Sequence, residues 1–336
     1  MADQCDRREV AGSRSWLIRY RGELWALMGA IAYALSALFA RIAVRDYPID
    51  SMLASSLRAL PTLLFALYMS WRITRGGQGS NPRLSDWRVS GLLVAYGLLT
   101  FVVGNPLLFR ALALGGVLVA TPVSGTQSLW AALMAFFILH QVLNGKMIAG
   151  MLISIAGIGM LAIGQSGGEP ASPQWLLAVP LALGTAVSWA LSGVLMSSVL
   201  QQGVNRFNAL AVVTGTGVLA LNLFLAVSGK LEAYLTTPVG IQGAVLIAGL
   251  FNAWALVSIT TSLTHTTVAT TTTISSLQIA LAPLLAWMLL GERMDGLTAF
   301  GIVLVSVGAI VVQRGGDGGK MREAAAQDIC RTMTGD

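Results

Sequence analysis

The chain has little charge for its length. Asp, Glu, Lys and Arg make up 11% of its 336 residues, whereas soluble domains carry roughly 25%. Hydrophobic residues make up 55% of the chain. This composition excludes an ordinary water-soluble domain, and we expect a protein that lies largely in the lipid bilayer.

Groups that carry catalysis or bind metals are also scarce. The two cysteines, Cys5 and Cys330, lie in polar tails without metal-binding spacing, and we interpret both as reduced thiols. No Asp or Glu lies in the interior of an apolar stretch, since Glu23 and Glu292 lie at stretch ends. Nucleophile, metalloprotease and phosphate-loop motifs are absent from the sequence. We therefore predict that the protein is not an enzyme, binds no cofactor or metal, and has no site built for organic cations.

Ten apolar stretches, each long enough to cross a bilayer, run from Gly22 to Gln313. A helix needs roughly 20 apolar residues to cross the hydrocarbon core, whereas a barrel strand needs only about ten. The stretches are therefore predicted to be helices, with tight turns at Gly115-Gly116 and Thr264-His265-Thr266. The predicted spans are 22–45, 50–72, 89–112, 115–139, 145–164, 174–201, 205–228, 239–264, 266–290 and 295–313.

Basic residues are distributed unevenly between the two sides of this arrangement. With the N-terminus inside, fifteen of the 21 Lys and Arg residues fall on the inner side, Arg72, Arg83 and Lys146 among them. Cytoplasmic loops carry such an excess, so we predict that both termini are cytoplasmic. The bias explains the net charge of +6 without a nucleic-acid partner. The first stretch is too long for a signal-peptide core and is expected to remain in place.

The second half of the sequence repeats the first. At an offset of 151 residues, Ser124 and Gln127 match Ser275 and Gln278, and both stretches read S-x-x-Q-x-x-x-A-x-L-x-A. The same offset carries Gly145, Gly150 and Gly157 onto Gly296, Gly301 and Gly308. Five spans per repeat is an odd number, so the second copy enters the membrane upside down. Secondary transporters are commonly built in this way, with the substrate site where the halves meet.

The predicted fold is therefore an all-α membrane protein with ten transmembrane helices in two inverted five-helix repeats. The predicted segments are a cytoplasmic N-terminal tail (1–21), a first repeat (22–164), an external linker (165–173), a second repeat (174–313) and a cytoplasmic C-terminal tail (314–336). The small residues Gly150, Gly157, Gly301 and Gly308 form stripes that predict close helix packing for the fifth span and for the tenth, and we interpret both spans as scaffold.

The run from Ala282 to Arg293, APLLAWMLLGER, resembles the end of an EamA-type repeat. Leu107 to Leu112, with the following Ala120-Thr121-Pro122, resembles the matching part of the first repeat. The resemblance covers 24–164 and 174–314 and points to the drug/metabolite transporter superfamily. One departure is that the first repeat reads His-Gln-Val at 140–142 where the second reads Gly-Glu-Arg at 291–293. The resemblance implies an exporter of amino acids or other small metabolites, usually without a soluble partner subunit.

Polar side chains at mid-membrane depth are costly unless they face protein, water or cargo. Gln127 and Gln278 each follow a serine by three residues, so amide and hydroxyl share a helix face. This pairing suits a neutral or zwitterionic solute, although hydrogen bonding between helices is the alternative. Aromatic residues of the spans are candidates to line an amphipathic cavity, and Asn252 is preferred to Asn105 as a further amide. The predicted substrate-binding residues are Gln127, Gln278, Ser124, Ser275, Tyr33, Trp189, Tyr96 and Asn252.

Arg58 is the basic residue deepest inside a span. It either anchors a substrate carboxylate or extends towards the outer surface, and we expect the second. The threonine run at 270–273 either lines a polar pathway or bonds back to its own helix, and both interpretations stay open.

These observations predict an exporter of a small neutral or zwitterionic metabolite, such as an amino acid, in a bacterial inner membrane. We expect alternating access around a cavity lined by the first, third, fourth, sixth, eighth and ninth spans, without proton coupling, because no span interior holds a carboxylate or histidine. One alternative is a carrier or flippase for nucleotide or lipid-linked sugars, which needs several arginines for phosphate. The other is an intramembrane enzyme. The sequence leaves the oligomeric state open and is compatible with a monomer.

Overall fold

The computed structural model describes residues 20–45, 47–75, 86–139, 145–166, 173–262, 265, 274–312 and 314. These residues form helices and turns, and no strand occurs among them. The prediction of an all-α protein is therefore confirmed over the described ranges. Most of each predicted tail and residues 167–172 of the predicted linker lie outside those ranges, as do His140 and the threonines at 270–273.

Most of the described residues are helical. A π-helical segment, Leu98–Gly104, joins α3 to α4, and a 3₁₀ turn, Trp175–Leu177, leads into α7. The helices are α1 (Arg21–Arg45), α2 (Ser51–Arg75), α3 (Trp87–Gly97), α4 (Asn105–Ser124), α5 (Gln127–Leu139), α6 (Gly145–Ser166), α7 (Ala178–Gln201), α8 (Arg206–Val227), α9 (Ala233–Thr236), α10 (Val239–Ser262), α11 (Gln278–Leu290) and α12 (Gly296–Val312).

Several helix ends follow directly from the local sequence. Asp50, Asp86 and Asn205 precede α2, α3 and α8, and each side chain accepts a hydrogen bond from the backbone N–H two residues ahead, at 2.8, 2.9 and 2.9 Å. Such caps satisfy donors that the first helical turn leaves unpaired. Gly291 ends α11 with a φ of +66°, a left-handed conformation that glycine adopts without steric penalty.

Six of the described helical stretches are long and apolar enough to cross a bilayer, and three shorter apolar helices accompany them. The stretch from Trp87 to Ser124 is one of the six, but its helical geometry breaks at Gly116, where φ is +68° and ψ is −175°. This break lies at the turn predicted between the third and fourth spans. The count of ten spans stays a prediction.

Helix packing in one half of the chain mirrors that in the other. α1 packs against α10 and α11, while its counterpart α7 packs against α4 and α5. A Cβ atom built on Gly150 would lie 2.8 Å from the Gly308 carbonyl oxygen, and one on Gly157 would lie 2.9 Å from that of Gly301. Because Gly150 corresponds to Gly301 and Gly157 to Gly308, a two-fold rotation exchanges these contacts. The antiparallel crossing of α6 and α12 is the packing that inverted copies produce.

Buried apolar side chains concentrate where α1 ends and α2 begins. Leu38, Leu53, Leu112, Ala178 and Ala286 belong to one cluster there, contributed by α1, α2, α4, α7 and α11. Large apolar side chains also remain exposed on outward helix faces, for example those of Leu64, Leu152 and Leu219. An outer surface of this kind is suited to lipid rather than to water.

Candidate functional site

A cavity of about 440 Å³ lies among the helices, and both halves of the chain line it. All eight predicted site residues lie on its wall. The wall also includes residues of α2 and α8, which correspond to the second and seventh predicted spans and were not expected there. α6 and α12 contribute no described residue to the wall, in keeping with their interpretation as scaffold.

The two glutamines lie at equivalent helix starts on this wall. Gln127 is the first residue of α5 and Gln278 the first of α11, each directly after a short turn that interrupts the predicted span. The two glutamines therefore begin helices and do not lie near helix centres, as their positions in the predicted spans 115–139 and 266–290 had suggested. The turn before Gln127 follows Pro122, which has no N–H to donate and so favours an interruption. Interrupted helices at matching places in two repeats are typical of transporter binding sites.

The two glutamines and the two serines beside them differ in their hydrogen bonding. Gln127 and Gln278 both line the cavity, and neither side chain bonds to a described residue. Ser124 Oγ donates to the carbonyl oxygen of Thr121 on its own helix at 3.1 Å. Ser275 Oγ is buried and has no partner among the described residues. Contact of these four side chains with cargo stays a prediction.

Aromatic side chains form another part of the wall. Tyr33, Tyr96 and Trp189 line the cavity, whereas Trp254 is 55% exposed on the outer surface. A Cβ atom on Gly104 would lie 2.8 Å from Trp189 Nε1, so glycine at this position makes room for the indole. Trp189 Nε1 is buried without a partner among the described residues.

The π-helical segment positions α7 against this wall. Its wider turns disturb the regular backbone ladder, and two hydroxyls of α7 bind carbonyl oxygens of the segment. Ser188 Oγ donates to Leu99 O at 2.5 Å, and Thr185 Oγ1 donates to Gly104 O at 3.1 Å. Asn105 directly follows the segment and lines the cavity as Asn252 does, so the geometry gives no reason to prefer one amide over the other.

Arg58 lies on the cavity wall and is only 7% exposed. Its Nη2 donates to Ser36 Oγ at 3.2 Å and to Asn252 Oδ1 at 3.0 Å. The expectation that Arg58 extends to the surface is wrong. A Cβ atom on Gly249 would lie 2.5 Å from the Arg58 carbonyl oxygen, so α2 and α10 are close enough for short polar side chains to reach the guanidinium.

A buried ion pair lies near one end of the bundle, which we call the Glu292 end. Arg41 Nε donates to Glu292 Oε1 at 2.8 Å, and the two side chains are 7% and 11% exposed. Arg41 Nη1 also donates to the carbonyl oxygens of Leu112 and Ala113, at 2.6 and 3.1 Å. The arginine thus satisfies carbonyl groups released where the α4 helix breaks.

Glu292 satisfies the other side of the same break. Its carboxylate accepts the backbone N–H of Val117 at 3.0 Å and that of Leu118 at 3.3 Å. A Cβ atom on Gly116 would lie 2.5 Å from Glu292 Oε1, and the φ of +68° also favours glycine. The pair therefore ties together α1, the break in α4 and the residue that follows α11.

The same helices match a known family of membrane proteins. A family model described as the EamA-like transporter family matches twice, over residues 20–163 and 176–314. The chain belongs to this family. Family membership and the apolar helices make the protein a multi-pass membrane transporter, and they point away from an enzyme.

Two individual proteins are also similar to this chain. The chain is 25% identical over 228 residues to an uncharacterized transporter of Clostridium kluyveri, across 66% of this chain and 71% of that protein. The crystal structure of another protein is similar over 87% of this chain and 96% of its own, at 18% identity and a TM-score of 0.55. The second likeness shows a shared fold.

The sequence did not lead us to expect that α2 lines the cavity. Arg58 and Thr62 both line the wall, and the amide nitrogen of Asn252 donates to Thr62 Oγ1 at 3.3 Å. Two polar residues four positions apart in an apolar span share one helix face, and this pattern was the available signal.

Proposed function

We propose that this EamA-family transporter exports a small neutral or zwitterionic metabolite, such as an amino acid, across the bacterial inner membrane. The observation that carries the proposal is the chemistry of the cavity, which combines amides, hydroxyls, aromatic rings and the guanidinium of Arg58. No acidic side chain occurs among its described lining residues. Its volume of about 440 Å³ lies within the roughly 300–1,000 Å³ of small-molecule sites.

Alternating access is the proposed mechanism. The cluster of apolar side chains and the Arg41–Glu292 pair close the Glu292 end in this structure. With cytoplasmic termini, the Glu292 end faces outwards, so release of cargo to the exterior requires this pair to separate. We propose that the movement is not coupled to protons, since no predicted span interior holds a carboxylate or histidine.

A growth screen followed by a transport assay tests the proposal. Cells that overexpress the protein should tolerate toxic amino-acid analogues better than cells with an empty vector. Purified protein in liposomes should then release the labelled amino acid that the screen identifies. If the screen shows no gain in tolerance, and efflux assays with amino acids and other small metabolites show no release of labelled solute, the proposal fails.

A carrier or flippase for nucleotide or lipid-linked sugars is the alternative within the same fold. A diphosphate is best held by several cationic side chains, and Arg58 is the single charged side chain among the described lining residues. Counterflow of a labelled nucleotide sugar in liposomes that hold the unlabelled compound would support this alternative over ours.

A further inference from the structure

We propose that Arg58 is the carboxylate-binding subsite of the cavity, so that the cargo is a small carboxylate with an apolar or aromatic body. The proposal rests on the transport function proposed above and specifies which group of the cargo the cavity recognises. It predicts that recognition depends on the carboxylate of the cargo and not on an ammonium group.

The surroundings of Arg58 hold its guanidinium in place. Ser36 Oγ donates to the Ala248 carbonyl oxygen at 2.8 Å and accepts from Arg58 Nη2, so the serine is fixed between α10 and the arginine. Asn252 accepts from the same Nη2 and donates to Thr62. Binding groups that are positioned before the ligand arrives lose less entropy on binding.

These neutral contacts leave the positive charge without a counter-ion. Arg58 forms no ion pair within the described part of the chain, and its Nε is buried without a partner. Both hydrogen bonds that Arg58 makes to described residues use Nη2, so the two N–H donors of Nη1 have no partner among those residues and can serve a ligand. A buried cation in such surroundings is unfavourable unless an anion joins it.

Arg41 provides an internal comparison. It is buried to a similar extent, yet its donors are taken by the Glu292 carboxylate and by the carbonyl oxygens of Leu112 and Ala113. Arg41 has the partners of an arginine that stabilises the fold. Arg58 lacks them and faces a cavity instead, which is the arrangement of an arginine that binds a ligand anion.

The remainder of the wall suits the body of such a ligand. Tyr33, Tyr96 and Trp189 offer flat apolar surfaces, and Gln127 and Gln278 offer amides for a further polar group. Since the described wall holds no carboxylate, an ammonium group of the cargo finds only neutral oxygens. An amino acid and the corresponding deaminated acid should therefore both bind.

The test uses three probes with one aromatic body, measured by binding to the purified full chain in detergent. Phenylalanine carries carboxylate and ammonium, 3-phenylpropanoate carries only the carboxylate, and phenylalaninamide carries only the ammonium. We expect the two carboxylates to bind and the amide to bind at least about 10-fold more weakly, because a hydrogen bond to a charged group contributes enough for such a difference.

Two variants examine Arg58 in different ways. Arg58→Gln should weaken the binding of both carboxylate probes about 10- to 100-fold. Asn252→Asp keeps Arg58 and the shape of the side chain but places a carboxylate at the oxygen that lies 3.0 Å from Nη2. This substitution should therefore weaken binding of phenylalanine and 3-phenylpropanoate and strengthen binding of phenylalaninamide. Arg110→Gln is the matched control, because Arg110 is exposed on α4 and is not a lining residue.

The outcomes separate this proposal from the transport function. Equal binding of all three probes by the unmodified protein, or an unchanged preference for carboxylates in Asn252→Asp, would overturn the subsite. If Arg58→Gln does not fold, Asn252→Asp still decides the question. Liposomes that move phenylalaninamide but neither carboxylate would overturn the subsite and leave the transporter intact. Liposomes that move no small metabolite would overturn the proposed function itself.

Discussion

The substitution Glu292→Gln should open the Glu292 end of the bundle. Glutamine keeps the size of the side chain but removes the negative charge that faces Arg41 Nε at 2.8 Å. It also weakens the acceptor for the N–H groups of Val117 and Leu118 at the start of the second part of α4. Arg41 then stays buried, 7% exposed, without a counter-ion among the described residues.

The size of the effect follows from these contacts. Removal of one partner from a buried ion pair typically costs about 3–5 kcal/mol. Arg41 keeps its hydrogen bonds to the carbonyl oxygens of Leu112 and Ala113, so we expect the lower end of that range. About 3 kcal/mol corresponds to a change of about 100-fold in the ratio of open to closed molecules.

Thiol labelling measures this ratio. Ala286 is fully buried near the Glu292 end, so Ala286→Cys should react with a membrane-impermeant reagent only when that end opens. In a background with Cys5→Ser and Cys330→Ser, Glu292→Gln should raise the labelling rate about 100-fold.

A double-mutant cycle and a second ion pair complete the experiment. Arg41→Gln combined with Glu292→Gln should perturb labelling less than the sum of the single effects, since the two residues share one interaction. Lys230→Gln is the control, because Lys230 Nζ lies 2.9 Å from Asp50 Oδ2 but is 55% exposed, and exposed pairs contribute only about 0–1 kcal/mol. If Glu292→Gln leaves the labelling rate of Ala286→Cys unchanged, or if the effects of the two substitutions are strictly additive, the proposed role of the pair is refuted.

Three further predictions concern the cavity, the scaffold and the energetics. Gln127→Ala and Gln278→Ala should each lower transport in liposomes at normal expression, and normal transport in both would assign the amides to helix packing. Gly157→Ala should lower the melting temperature in detergent, because its Cβ would lie 2.7 Å from Val305 N. Gly159→Ala should not, because the space around the new atom is open. Equal melting temperatures of the two variants would contradict the close crossing of α6 and α12. Liposomes should bring a labelled solute without net charge to equal concentrations on both sides with or without a pH gradient, whereas coupling to one proton at 100 mV, about 2.3 kcal/mol, sustains a ratio of about 40-fold. Accumulation that a protonophore abolishes would reveal a coupling group.

The sequence predicted those features that recur at matching positions of the two repeats. The offset of 151 residues brought out Gln127 and Gln278, and both lie on the cavity wall. The glycine stripes predicted close helix packing, because small residues at helical spacing indicate where backbones approach, but the sequence did not name the partner helices, which are α6 and α12. In both cases a residue in one repeat is marked by the matching residue in the other repeat.

Features that depend on which helices meet were not accessible in this way. Arg41 and Glu292 are 251 positions apart, and neither has a counterpart in the other repeat that would mark it. Arg58 was assigned to the surface because the sequence does not show which face of α2 meets α10. Both arginines look alike in the sequence, and only their partners in space distinguish a structural arginine from a candidate ligand-binding one.

The cavity and the Glu292 end are connected through rigid elements. α11 begins with Gln278 on the cavity wall and ends just before Glu292, a distance of about 20 Å at about 1.5 Å per residue. α1 likewise carries Tyr33 on the wall and Arg41 in the pair. Cargo that draws α1 and α11 into a new arrangement therefore acts directly on the pair. A ligand shifts a conformational equilibrium only by its difference in affinity for the two states. Alternating access thus requires the open state to gain contacts with cargo, or between helices, that offset the loss of the Arg41–Glu292 interaction.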